Sequence, residues 1–242
     1  MTTLRLVGPG RAGCSLASAL VDTGFDLRGV LGRGDDVSGA ADGVDVVIIA
    51  TPDGAVAEVA AAITPVPDTV ILHVSGVLGL DVLAPHERPA SLHPLVPLPS
   101  AAVGRVRLRS GITFAVAGDA MATTMGRALG GLCVEIDENG RAAYHAAACI
   151  ASNHVVALLG QVERVAASAG LGLDAFMPLA AAAVQDVTDL GAAAALTGPA
   201  ARGDEATVAR HRDALAPEEL AGYDAGVALA RCLAQTELAP CV

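Results

Sequence analysis

The sequence of 242 residues contains no lysine and no tryptophan, and only two tyrosines and three phenylalanines. Without lysine, no side-chain amine is available as an acid, a base or a Schiff-base former. The five cysteines show no C-x-x-C or C-x-x-H spacing, so neither a metal site nor a disulfide framework is predicted. Although 53% of the residues are hydrophobic, no segment supplies the roughly 18 uninterrupted apolar residues that a membrane span requires.

The chain is also strongly acidic, with a formal net charge of -11. This disfavours nucleic acid and anionic lipid as partners, because both select basic surfaces. The first ten residues, MTTLRLVGPG, enter a strand pattern at once and lack the features of a signal peptide. We therefore expect a cytoplasmic protein that acts on a small molecule and binds neither nucleic acid nor membrane.

The chain falls into two parts with different predicted secondary structure. Short β-rich runs alternate with helical segments up to residue 137, at 4–7, 26–31, 44–50, 69–75, 112–118 and 132–136. Beyond that point the pattern is helical only, at 141–169, 174–190, 204–215 and 217–235. The pattern predicts an α/β fold: a Rossmann-like parallel-sheet domain at 1–137, followed by an all-helical domain for substrate binding and dimerisation at 138–242.

A glycine-rich turn follows the first predicted strand. Gly8, Gly10 and Gly13 fit G-x-G-x-x-G between a strand and a helix, where amides at the helix N-terminus face the phosphates of a dinucleotide. Such turns also occur without a nucleotide, but the position in a βαβ unit favours binding. The predicted cofactor-binding turn comprises Gly8, Pro9, Gly10, Arg11, Ala12 and Gly13.

The end of the second predicted strand indicates which dinucleotide binds. An acidic residue there would hold the ribose hydroxyls of NAD, whereas this strand ends in VLGR, with Arg33 about 20 residues beyond the last fingerprint glycine. A guanidinium can pair with a 2′-phosphate, so NADP(H) is predicted. Asp35 and Asp36 follow directly, and the alternative is that Arg33 is a solvated loop residue.

Three further segments end predicted strands or lie in loops near them. They are Thr51-Pro52-Asp53, the HVSG motif with Ser75, and the SLHPL segment with His93, which follows a proline-bounded loop. Each segment could simply form a turn, with no role in ligand binding. After a cofactor fingerprint, however, the three favour one ligand crevice at the carboxyl edge of the sheet.

Together with YHAAACIASNHVVAL at 144–158 and LTGPAARGD at 196–204, these motifs carry a family resemblance. The chain resembles a bacterial family that pairs a Rossmann-like domain with a helical domain of unknown function. That family is similar in plan to phosphogluconate dehydrogenase, pyrroline carboxylate reductase and ketopantoate reductase. The resemblance implies an NADP-dependent reductase, and some members of the family are associated with ketopantoate reduction for pantothenate synthesis.

The resemblance also implies roles for individual residues, with one gap. Related dehydrogenases carry K-x-x-x-N on the long helix, and here Asn153 matches the asparagine whereas Cys149 stands in place of the lysine. Another proton donor is then needed, and the candidates are His145 and His93, with water or Tyr144 as the remaining source. On a regular helix, Asn153 lies about 80° of rotation from His145, so both could flank one cleft.

The LTGPAARGD segment supplies the last candidates. Thr197 and Arg202 are predicted to contact the substrate, with Arg202 or Ser75 holding a carboxylate, and Asp204 is expected to cap a helix. The sequence thus predicts an NADPH-dependent reductase of a small 2-oxo acid, with ketopantoate first among the candidates. Two alternatives stay open: an imine reductase resembling pyrroline carboxylate reductase, and a non-catalytic NADP-binding regulator. A homodimer formed largely through residues 141–242 is also expected.

Overall fold

The computed structural model describes residues 1–236. The chain forms two compact units, Met1–Ile150 and Ala151–Val242, and each is described by itself. The sequence placed the domain boundary at 137/138. The first unit instead includes the helix that follows residue 137, because that helix packs on the sheet through Arg141 and Tyr144.

The first unit is built on one seven-stranded sheet in the order β2-β1-β3-β4-β5-β6-β7. Every neighbouring pair is parallel except β5 and β6, which run antiparallel. The strands are β1 (Thr3–Val7), β2 (Asp26–Leu31), β3 (Val46–Ile49), β4 (Val70–His73), β5 (Pro89–Pro94), β6 (Thr113–Gly118) and β7 (Leu132–Glu135).

Five α-helices and one short 3-10 turn at Asp81–Leu83 complete this unit. The helices are α1 (Arg11–Val21), α2 (Asp53–Ala62), α3 (Ala101–Arg107), α4 (Met121–Ala128) and α5 (Glu138–Cys149). Strand β3 is buried along its whole length because both faces of the sheet are covered. Val46 and Ile48 join a core with Leu16 of α1, whereas Val47 and Ile49 join a second core on the opposite face.

The predicted fold class is confirmed: an α/β, Rossmann-like sheet is followed by a helical part. All six strands expected from the sequence are present, with ends shifted by at most two residues. One further strand, β5, was not predicted; it contains residues 91–94 of the SLHPL segment. Its prolines stand at the first and last positions of the strand, where a missing backbone donor is tolerated.

The second unit is helical throughout its described residues. A π-helical turn at Ile150–His154 leads into α6 (Val155–Ser168). The remaining helices are α7 (Met177–Leu190), α8 (Ala192–Ala195), α9 (Glu205–Ala214) and α10 (Pro217–Thr236), with a 3-10 turn at Leu173–Ala175. Large apolar side chains on these helices are exposed to solvent, including Val156, Leu179, Val184 and Leu229.

One helical segment, Glu138–Ser168, is long and apolar enough to cross a membrane by length and composition alone. Its most apolar 18-residue window has a mean hydropathy of 1.3 and is not buried. The start of the same segment packs on the sheet, since Arg141 contacts Ser91 and Tyr144 contacts His93.

Candidate functional site

The glycine-rich turn has the geometry of a phosphate cradle. Gly8 has a φ of +96°, and a Cβ there would lie 2.8 Å from the Ala50 backbone, so only glycine fits. A Cβ on Gly13 would collide with the Gly8 carbonyl oxygen, which explains the close packing of α1 on β1. Gly10 precedes the first turn of α1 and has open space around it. The turn can therefore admit a phosphate group at the helix N-terminus.

A cavity of about 730 Å³ opens beside this turn. Six of the residues predicted to bind cofactor line it: Gly8, Pro9, Gly10, Arg33, Thr51 and Pro52. The Thr51 hydroxyl is buried there without a hydrogen-bond partner among the described residues, as expected where a ligand supplies the partner. These residues fit a dinucleotide.

The other predicted cofactor residues stand next to the cavity without lining it. Arg11, Ala12 and Gly13 form the first turn of α1, and Asp53 is the exposed first residue of α2. Their contribution is to place the two helix N-termini at the sheet edge, because parallel strands β1 and β3 both end there.

Arg33 is exposed, and the acids that follow it are occupied elsewhere. Asp35 accepts a hydrogen bond of 2.7 Å from the backbone amide of Gly32, and Asp36 accepts one from Ser38 at 2.9 Å. Within residues 1–236, no carboxylate pairs with Arg33. The guanidinium is thus available to an anion at the cavity.

A second group of polar side chains lies at the carboxyl ends of the next two strands. His73 ends β4 and is in register with Ser91 of β5, so the two side chains share one face of the sheet. His93, two residues further along β5, lies on the same face. His73 and Ser91 are fully buried, at 0% and 1% exposure.

Helix α5 covers this face. Arg141, Tyr144 and His145 recur at helical spacing and form its buried or half-buried side. The Tyr144 hydroxyl and His93 Nδ1 form a hydrogen bond of 2.6 Å, and Arg141 Nη2 donates to the Ser91 hydroxyl at 3.3 Å. We call this group the sheet-edge cluster; its members are His73, Ser91, His93, Arg141, Tyr144 and His145.

Gly76 of the HVSG motif makes room for the cluster. A Cβ on Gly76 would lie 2.7 Å from a ring carbon of His145 and 2.9 Å from one of His93. The two rings themselves meet edge to face, with centroids 6.0 Å apart. The HVSG motif, which we predict to lie at the ligand crevice, therefore also provides the surface on which His93 and His145 pack.

Burial favours the neutral forms of His73 and His93. Desolvation lowers the pKa of His93 to about 4, and electrostatic interaction with His145 acts in the same direction. Desolvation likewise lowers the pKa of His73, against a hydrogen bond to the Gly79 carbonyl that raises it. His73 Nε2 donates to that carbonyl at 3.1 Å, so in the neutral ring Nδ1 is an acceptor; this atom is buried and has no hydrogen-bond partner within residues 1–236. Burial also raises the pKa of Tyr144, which keeps its hydroxyl protonated.

Two other predicted residues lie near the cluster with partners of their own. The buried Ser75 hydroxyl accepts hydrogen bonds from the amides of Val77 and Leu78, at 3.3 and 3.2 Å, and so also shapes the turn after β4. Cys149, at the position of the missing lysine, has its sulfur 3.9 Å from His145 Nε2.

In the second unit, the remaining candidates are exposed. Asn153 lies in the π-helical turn, so the rotation of about 80° from His145 that a regular helix predicts does not apply. Thr197 lines an apolar cavity of about 690 Å³, and Arg202 lines a separate one of about 560 Å³. Asp204 caps α9, as predicted, by accepting from the Thr207 amide at 3.0 Å.

Sequence reasoning missed three members of the cluster: His73, Ser91 and Arg141. Their signal was present as an S-x-H alternation, which places Ser91 and His93 on one face of a strand. The R-x-x-Y-H spacing at 141–145 likewise places three polar groups on one side of a helix. The missed strand β5 concealed the first signal.

Comparison with known proteins gives one family match and several solved structures of similar fold. Residues 111–229 match the model of a family described as a domain of unknown function, DUF2520. No curated protein sequence matches the chain.

Three solved structures illustrate the similarity of fold. A Bacteroides fragilis protein described as a candidate NADP oxidoreductase is 20% identical, with a TM-score of 0.80 over 97% of this chain and 98% of that one. A reductive aminase from Aspergillus terreus, solved with NADPH4, cyclohexanone and allyl amine, is 16% identical, with a TM-score of 0.70 over 95% and 93%. Pyrroline carboxylate reductase from Plasmodium falciparum, solved with NADP, is 11% identical, with a TM-score of 0.62 over 96% and 98%.

Proposed function

We propose that this protein is an NADP-dependent oxidoreductase that reduces the C=N bond of a small imine. The observation that carries the proposal is that one sheet edge holds both a dinucleotide cradle and a buried polar cluster. Ligands of open α/β sheets bind at the carboxyl ends of the strands. Two of the solved structures with this fold, the reductive aminase and the pyrroline carboxylate reductase, are named for reactions of that chemical class.

The cradle residues suit NADP rather than NAD. The amides at Gly10 and the start of α1 face the pyrophosphate position, and the Thr51 hydroxyl is available as a donor. Arg33 is the group for the 2′-phosphate, since Asp35 and Asp36 bind backbone amides instead of competing for it. Bound NADPH supplies a hydride.

The protonation state of the cluster favours an imine over a ketone. Ketone reduction places negative charge on oxygen, which requires an acid or a strong donor. The chain has no lysine, and a pKa of about 4 leaves His93 neutral near pH 7. A protonated imine already carries its proton on nitrogen, so the side chains need only orient it and accept hydrogen bonds. His73 Nδ1 is a buried, unused acceptor of this kind.

The second candidate is reduction of a 2-oxo acid, including ketopantoate. It is favoured by the hydrogen bond between Tyr144 and His93. In the tautomer with the proton on Nδ1, His93 donates to the Tyr144 oxygen, and the hydroxyl proton is then available to a carbonyl oxygen. The Tyr144 hydroxyl would then be the proton donor, the role that the sequence analysis considered first for His93 or His145. Ser75, Asn153, Thr197 and Arg202 remain predicted contacts in both schemes.

We also propose that the protein is a homodimer formed largely through residues 141–242. The support is the set of large apolar side chains left exposed on the helices of the second unit: Val156, Leu179, Val184 and Leu229 are 65–72% exposed. Exposed apolar surface on this scale is typical of surfaces that protein covers.

NADPH oxidation with matched substrates tests the proposed reaction. Cyclic imines, the same rings as ketones, and a set of 2-oxo acids including ketopantoate are offered in turn. Imine reduction predicts that oxidation follows the imines, whereas oxidation with 2-oxo acids alone supports the second candidate. A protein that binds NADPH but oxidises it with none of these is the regulator that the sequence left open, and the proposed function is then wrong.

A further inference from the structure

Arg141 is a buried cation that forms no ion pair with any described residue. It is 4% exposed, and its hydrogen bond to the neutral Ser91 hydroxyl is long, at 3.3 Å. Its Nε is buried and has no acceptor among the described residues. A guanidinium has five N–H donors, and a buried charge is normally paired because desolvation is costly. This side chain therefore has unmet capacity to bind an anion.

The other buried charge in the described chain is compensated. Glu219, at 7% exposure, pairs with Arg164 through a contact of 2.5 Å and a second of 3.1 Å. No carboxylate within residues 1–236 makes such a pair with Arg141. The difference marks Arg141 as a residue whose partner comes from outside the chain.

The surroundings of Arg141 select for a negative ligand. His73 and His93 are neutral near pH 7, and Tyr144 is protonated, so these neighbours do not offset its positive charge. A planar guanidinium also matches a carboxylate through two parallel hydrogen bonds. Among these four residues, Arg141 is the cation, and His73, His93 and Tyr144 supply neutral donors and acceptors.

The spacing on α5 limits how far the carboxylate lies from the reacting bond. Arg141 and Tyr144 are three residues apart on the helix, a spacing that places their Cβ atoms about 5–6 Å from each other. Tyr144 in turn contacts His93 at the carboxyl end of β5. A carboxylate bound by Arg141 would leave its adjacent carbon beside Tyr144 and His93, as in a molecule whose carboxylate is bonded directly to the C=N or C=O carbon.

We infer that Arg141 is the carboxylate-binding residue of this protein, and that its substrates are 2-imino or 2-oxo carboxylates. The inference rests on the proposed function, because these carboxylates are substrates only if the protein is a reductase. It assigns to Arg141 the carboxylate for which the sequence offered Arg202 or Ser75; Arg202 is exposed, whereas Arg141 is buried. It also separates this protein from enzymes that accept neutral imines.

The test is binding of an unreactive pair of probes to the full chain, with and without NADP. Pyrrole-2-carboxylate resembles a cyclic imino acid, and pyrrole-2-carboxamide is its neutral counterpart. We expect calorimetry to show that the wild type prefers the carboxylate. Arg141→Gln should weaken that probe by about 10- to 100-fold, the range for a charge-assisted hydrogen bond, and leave the carboxamide unchanged. Arg127→Gln, which changes an exposed arginine of the same unit, is the matched control.

A second variant protects the test against a folding defect. Arg141→Met removes an unpaired buried charge, so we expect it to melt at or above the wild-type temperature. The carboxylate probe should raise the melting temperature of the wild type and not of this variant. Equal binding of both probes by the wild type, no binding of either, or undiminished carboxylate binding by Arg141→Gln overturns the inference.

Failure of the inference and failure of the proposed function look different. If NADPH is oxidised equally with neutral and carboxylated imines, the reductase assignment stands and the role of Arg141 is wrong. If the carboxylate probe binds through Arg141 and yet no imine or 2-oxo acid oxidises NADPH, the anion site stands and the reductase assignment is wrong.

Discussion

Replacing His93 with glutamine should make the protein less sensitive to acid. Glutamine can keep a hydrogen bond to Tyr144 but cannot ionise. In the folded wild type the pKa of His93 is about 4, whereas a histidine in the unfolded chain titrates near its ordinary pKa of 6.5. Between these values the unfolded chain binds the extra proton, so stability is present above pH 6.5 and is lost as the pH falls towards 4.

The size of the effect follows from those two pKa values. Linkage gives a loss of about 1.4 kcal/mol from this one ring when the pH falls from about 7.5 to about 5.5. That range stays above the isoelectric point of about 4.8, so the protein keeps its negative charge. Urea unfolding at both pH values measures how much stability each protein loses on acidification. The loss for His93→Gln should be smaller than the wild-type loss by about 1.4 kcal/mol.

A matched variant separates burial of the ring from loss of a histidine. His211 also bonds to a tyrosine hydroxyl, Tyr223, at 2.7 Å, but on an exposed helix. His211→Gln should retain the wild-type pH dependence. If His93→Gln loses as much stability on acidification as the wild type, the ring is not held neutral by burial. The reason for preferring an imine over a ketone then fails.

Three further predictions concern the cofactor, the second unit and assembly. Arg33→Ala should weaken NADPH binding by about 1 to 3 kcal/mol and leave NADH nearly unchanged, measured by fluorescence titration; equal losses would contradict the 2′-phosphate role. Asn153→Ala should lower turnover on the order of 100-fold with NADPH affinity intact, and full turnover would remove Asn153 from the site. Light scattering at low micromolar concentration should report a dimer, and a monomer mass would count against the proposed assembly.

The dinucleotide half of the site could be predicted because its constraints are local. Gly8 must adopt positive φ and Gly13 must admit the Gly8 carbonyl, and both requirements leave glycine in the sequence at fixed spacing. Arg33 could be recognised by its distance from that turn. The sequence could not show that Asp35 and Asp36 leave Arg33 unpaired, because this depends on the hydrogen bonds that the two acids accept from backbone amides.

The other half depends on long-range packing, which a single sequence conceals. Strand β5 begins and ends with proline and was not predicted, so the alignment of Ser91 with His73 across two strands was not foreseen. Arg141 is one of fifteen arginines in the chain, and nothing in its immediate sequence indicates that it is buried without a carboxylate. Arg202 was chosen instead because it lies in a glycine- and proline-rich loop. The π-helical turn before Asn153 has no sequence signature either, and it alters the helical phase that the comparison with His145 assumed.

The most direct test of the central claim is NADPH oxidation, followed by absorbance, with 1-pyrroline-2-carboxylate as the substrate and NADH as the comparison cofactor. The account predicts oxidation of NADPH in preference to NADH, with the amine formed in equal amount and the preference abolished in Arg33→Ala. Absence of NADPH oxidation with this compound, with neutral cyclic imines and with 2-oxo acids alike would contradict it.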